Sequence, residues 1–149
     1  MEYVVGRRDT IAMLTTIDAS GCLRSVPMTT MQTECEGYIW FFTHMDTHKV
    51  EDINRSNCIN VSYSDNRTET YVSLTGHAEI VRDMPKMESL WKASLKEYFP
   101  KGLEDPNLAL LKVHIKEAEY WDNKQGKMVQ IWEMEKDAVR AEWGISADL

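Results

Sequence analysis

The sequence predicts a mainly β fold, a closed or partly closed antiparallel barrel of five or six strands with two or three helices beside it. Short runs of apolar and β-branched residues recur at close spacing, bounded by Gly, Pro, Asn, Asp or Ser. These runs do not alternate regularly with helical ones, as a doubly wound parallel sheet requires. The 149 residues suit one domain with its own core and are too few for two ordinary ones. No repeat or Pro/Gly/Ser linker interrupts them, so residues 1–149 are expected to form one unit.

The first strand is Ile11 to Ile17, and Asp18-Ala19-Ser20-Gly21 reads as a hairpin turn leading into a strand from Cys22 to Met31. Pro27 removes a ladder donor and places that strand at an edge or a bulge. Thr33 to Glu36 reads as a polar turn, and Gly37 to Thr43 as a third strand. From Thr47 to Ser56 the period switches, with Val50, Ile53 and Asn54 on one helical face and Thr47 placed as N-cap. Strands follow at Cys58 to Ser64 and Thr70 to Val81, and Gly76 inside the latter marks a bulge or a close backbone approach. Asp83-Met84-Pro85 opens a second helix, with Met87, Leu90, Trp91, Ser94 and Leu95 as its stripe as far as Tyr98-Phe99-Pro100. Lys101 to Asn107 is a loop and Leu108 to Trp121 the last strand. The spacing of Met128, Ile131, Trp132 and Val139 predicts a terminal helix.

Composition narrows the function classes. A net charge of −7 repels phosphate backbones, and no basic patch with interleaved aromatics offsets it, so nucleic acid is not an expected partner. No apolar run approaches the roughly 20 residues that span a bilayer, and no membrane partner or signal peptide is expected. Cys22, Cys35 and Cys58 are odd in number and lack CxxC spacing, which points to free thiols and a cytoplasmic setting. Of the four histidines only His44 and His48 are i, i+4, and they straddle the loop–helix junction, so no metal site is expected. Glu104 and Asp105 read as solvated charges, and Trp91, Phe99 and Trp132 as core or interface aromatics. No set of residues stands out as a dedicated catalytic constellation.

The segment Trp40 to Lys49 is the most informative. A strand feeds a short loop and then a helix start, whose unpaired N–H groups and partial positive charge suit a phosphate. Thr47, His48 and Lys49 would add donors there. A cation in the first turn opposes the helix dipole, so Lys49 does little for the helix itself; a plain surface lysine behind an ordinary N-cap is the competing reading. Arg24 and Val26 share one strand face, where Arg24 is either an edge residue in water or a bidentate phosphate ligand.

These residues carry a resemblance. IAMLTTID, the PM of SVPM, GYIWFFTHMDTHKVEDI, YVSLTGHAEIVRD, LWKASLKEYFPKGLEDPNLALLKV and AEYWDN run in order from Ile11 to Asn123. Together they resemble the general stress protein family of FMN-binding split barrels, relatives of pyridoxamine 5′-phosphate oxidase. The resemblance implies a six-stranded antiparallel Greek-key split barrel and a homodimer with FMN at the interface. It places Arg24, Val26, Pro27, Met28, Phe42, Thr43, Thr47, His48 and Lys49 along the phosphate and ribityl part, while Tyr71 and Ser73 of the partner subunit, and Trp121, approach the flavin from the other side. Val26 stands where many members carry arginine, and His48 where the related oxidases often do. Lys49 and Arg24 would then hold most of the phosphate charge.

The implied function is a stress-related flavoprotein, an FMN-dependent oxidoreductase acting on an unidentified small molecule. The alternative is a non-catalytic flavin-binding or flavin-buffering protein, and a third reading exchanges FMN for haem or deazaflavin. Pyridoxamine-phosphate oxidation itself is not expected, because the C-terminal segment IWEMEKDAVRAEWGISADL lacks the arginine- and histidine-bearing stretch of that enzyme.

Overall fold

The computed structural model describes residues 11–34, 38–124 and 127–135. Six long antiparallel strands curl into a half-barrel: β1 (Ile11–Ile17), β2 (Leu23–Thr29), β4 (Tyr38–His44), β5 (Cys58–Asp65), β6 (Thr70–Val81) and β7 (Leu108–Lys124). Their order in the sheet is β2-β1-β5-β6-β7-β4, so β4 lies beside a strand far from it in sequence. The three-residue β3 (Gln32–Glu34) extends the β4 edge, and β8 (Lys127–Glu135) pairs with the distal half of β7. Among the described residues two helices flank the sheet, α1 (His48–Arg55) and α2 (Met84–Leu90).

Side-chain alternation sets the inner face. In β1, Ala12, Leu14 and Thr16 are buried while Ile11 and Met13 are exposed, the period of two that puts one strand face in a core. Phe41, Val61, Tyr63, Leu74, Leu111 and Ile115 meet this face inside the barrel. Strands β4 and β7 are covered on both sides. Their other faces bring Trp40, Phe42, Leu108 and Leu110 against Met87, Leu90 and Leu95, which explains the uninterrupted apolar runs YIWFF and LALL.

The β1–β2 turn is closed by Asp18, whose side chain accepts from the backbone N–H of Ser20 and Cys22, with Gly21 at φ +84°. Pro27 lies on β2, a sheet edge, as its missing N–H requires. At Gly76 the β6–β7 register shifts, and an added Cβ would clash with the carbonyl oxygen of His114. The expected bulge is a backbone contact that admits only glycine.

Three expectations are corrected. The turn placed at Thr33 to Glu36 begins later, because Gln32–Glu34 pair with Tyr38–Trp40 as β3; Cys35 lies outside the described residues. The second helix stops at Leu90: Trp91 turns extended, its ring meets Phe42 edge-on at 5.6 Å, and Ala93–Glu97 resumes only as a 3₁₀ turn. Met128, Ile131 and Trp132 belong to strand β8 and not to a helix. Trp132 pairs with Tyr120 while Gln130 pairs with Trp121, so Ile131 is an inserted residue. That bulge breaks the strict alternation and leaves an i, i+3, i+4 spacing that imitates a helix. Val139 lies outside the described residues.

Candidate functional site

The helix start after β4 is the centre of the site. Strand β4 ends at His44, and the next residues are tied to the turn at 105–107: the Met45 N–H donates to the Asn107 carbonyl at 2.8 Å, and the Asn107 amide to Asp46 at 2.8 Å. Thr47 occupies the N-cap position in extended conformation, yet its hydroxyl does not cap the helix. It donates instead to the His44 carbonyl at 3.0 Å. The first turn of α1 therefore has no side-chain cap, which keeps its N–H groups available for an anion.

A cavity of about 490 Å³ opens beside this helix start, large enough for a cofactor-sized ligand. Pro27, Met28, Phe42, Thr43, Thr47 and Lys49, all expected at the site, line it. Its further lining comes from Ile11, Thr29, Met31, His44, Leu95, Tyr98 and Phe99. Lys49 is half-buried, and loss of hydration lowers its pKa from the usual lysine value. Among the described residues no carboxylate pairs with it. A desolvated ammonium of this kind gains from an anionic ligand.

The other expected residues are placed elsewhere. Arg24 is bound to Asp52 of α1: Nε donates to Oδ2 at 2.9 Å and Nη2 to Oδ1 at 3.0 Å. Asp52 is buried, also accepts from the Thr16 hydroxyl at 2.9 Å and from Arg55 at 3.0 Å, and its pKa is lowered to about 2, chiefly by Arg24. This network fastens α1 to β1 and β2. Val26 packs against the barrel core, and His48 points to solvent with its ring 3.8 Å from Glu51. Tyr71, Ser73 and Trp121 lie on the outer sheet face, where Tyr71 is opposite Trp121 and Ser73 accepts from Asn60 at 2.9 Å.

Asp105, expected as a solvated charge, is buried. Its Oδ1 accepts from the Asn107 N–H at 2.9 Å and its Oδ2 lies 3.5 Å from His44 Nε2. The string Asp105-Pro106-Asn107 carried a turn signal that would have located it. Nothing local in the sequence marks Asp52 as a partner of Arg24, since 28 residues separate them.

Residues 6–143 match the family model described as pyridoxamine 5′-phosphate oxidase like. The protein bli-3 of Neurospora crassa is 29% identical over 119 residues, 73% of this chain; the chain spans 57% of that relative's length. A structure related to general stress protein 26, from Clostridium acetobutylicum, superposes with a TM-score of 0.72 at 23% identity over 87% of both chains. A pyridoxamine 5′-phosphate oxidase-related, FMN-binding protein from Nostoc punctiforme gives 0.65 at 13% identity, over 84% of this chain and 86% of that one. A haem-binding protein from Mycobacterium smegmatis gives 0.67 at 13%, over 88% and 55%.

Proposed function

The chain belongs to the pyridoxamine 5′-phosphate oxidase like family, and from that premise we propose that its cavity binds FMN with the phosphate at Lys49 and the uncapped start of α1. The observation that carries this reading is Lys49 itself, half-buried in the cavity wall and without a carboxylate among the described residues. Thr47 and the first-turn N–H groups complete the anion end, while Pro27, Met28 and Phe42 offer apolar surface to the rest of the molecule. The FMN-binding relative from Nostoc supports the choice of cofactor; the haem-binding one from Mycobacterium keeps the spectrum decisive.

Lys49 carries the phosphate charge largely alone in this reading. Arg24 is committed to Asp52, so its part is to hold α1 and not to bind phosphate. A bound flavin supplies redox chemistry at its ring, and the protein binds it, orients it and shields it from water.

Tyr71, Ser73 and Trp121 reach a flavin only from a second copy. The cavity lip at Ile11 continues along β1 to Met13, and Met13 is in register with Ser62, which is opposite Ser73. Ile11 and Met13 are 53% and 40% exposed, so the cavity mouth runs into a partly apolar outer face that a homodimer would cover. Among the described residues no helix is long and apolar enough to cross a membrane, and a cytoplasmic oxidoreductase of a small molecule is the proposed setting and role.

The absorption spectrum of the purified protein tests this. Flavin bands near the FMN positions are expected; a Soret band or a colourless protein that takes up no FMN would refute it. Flavin bound without turnover of NADH or NADPH would favour a flavin-storing role over an enzymatic one.

A further inference from the structure

The cavity wall around His44 and Phe99 carries chemistry that the phosphate site does not use. There the Phe99 ring meets the His44 imidazole edge-on at 4.9 Å and lies 6.1 Å from Phe42, with Leu95 beside it and Tyr98, 61% exposed, at the mouth. His44 is fixed from behind. Its Nε2 faces the buried Asp105 carboxylate at 3.5 Å, and Asp105 is itself held by the Asn107 backbone. A surface histidine does not require a buried carboxylate, and burying one is costly without a partner. His44 lines the cavity, and a proton on Nε2 directed at Asp105 would leave Nδ1 as its lone-pair acceptor.

We propose that this wall forms a second ligand subsite, for a small planar aromatic molecule bearing a hydroxyl, such as a phenol or naphthol. The ring lies against Phe99 and Leu95, and the hydroxyl donates to His44 Nδ1. Edge-on aromatic walls favour a flat ring over an aliphatic chain, and the oriented imidazole selects a donor over an ether or a hydrocarbon. Asp105 is a positioning residue that sets the tautomer and angle of His44. The subsite rests on the flavin reading only in assigning Lys49 to the cofactor.

Calorimetric titration of 2-naphthol and of 2-methoxynaphthalene into the full chain, with and without saturating FMN, tests it. The naphthol is expected to bind about 3- to 10-fold tighter than its ether, the scale of one net hydrogen bond. His44→Phe should abolish that preference, and Phe99→Ala should weaken both ligands alike. A wild-type protein that binds the two equally, a result needing no variant, overturns the assignment, as does a preference that survives His44→Phe. Displacement of the naphthol by FMN would also overturn it, because the flavin ring would then cover this wall. An intact naphthol preference in a protein that takes up no FMN would refute the flavin reading and leave the subsite standing.

Discussion

Burial costs a lysine part of its hydration, and Lys49 bears that cost at a helix start where the dipole also opposes it. Asp52 is the contrasting case: it is buried but receives Arg24, Arg55 and Thr16. One group waits for a charge and the other has found several. A cation in a first helical turn marked Lys49 as a candidate, and only the resemblance favoured it over a plain surface lysine. The fate of Arg24 was not legible in the sequence, since its partner is fixed by how α1 docks and not by neighbours in the chain. Asp52→Asn should therefore cost about 1–3 kcal/mol of stability at neutral pH, read from urea unfolding. The folded Asp52 pKa lies below its ordinary value, so its contribution is present above pH about 4 and fades as pH falls toward about 2. The gap between wild type and Asp52→Asn should narrow over that interval; a gap independent of pH would show that the carboxylate charge is not what stabilises.

The elements that sequence patterning located well are those with one buried face. Strand β1 shows its alternation openly, and β4 and β7 show the continuous apolar runs of strands covered on both sides. Patterning failed where regular geometry is interrupted. The bulge at Ile131 made strand β8 look helical, and the contact of Trp91 with Phe42 ended α2 within a stripe that continues in sequence. Gly76 was legible as an interruption because a glycine inside a β-branched run has few other uses. Gly76→Ala forces a methyl group onto the His114 carbonyl and should destabilise the protein by about 1–3 kcal/mol in thermal or urea unfolding. A neutral substitution would mean that β6 and β7 can separate there without loss.

For the molecule as a whole, half of the expected site residues converge on one cavity and three lie on the outer sheet face. A single chain does not bring the two groups together, and a two-fold dimer covering Ile11 and Met13 is the arrangement that would. Sedimentation equilibrium is expected to give about twice the chain mass, and Met13→Lys, which puts a charge on the proposed interface, should shift it toward monomer; a wild-type monomer that binds FMN fully would remove the need for a partner. The expectation of a partner subunit came from the resemblance alone, because periodicity does not say which faces meet. If Lys49 holds the phosphate, comparing FMN with riboflavin isolates that group, because the two differ only there. Fluorescence titration should show FMN binding tighter than riboflavin in the wild type. Lys49→Ala should weaken FMN by about 1–3 kcal/mol and leave riboflavin nearly unchanged. Equal affinity for the two flavins in the wild type, or a phosphate preference that survives Lys49→Ala, would contradict it.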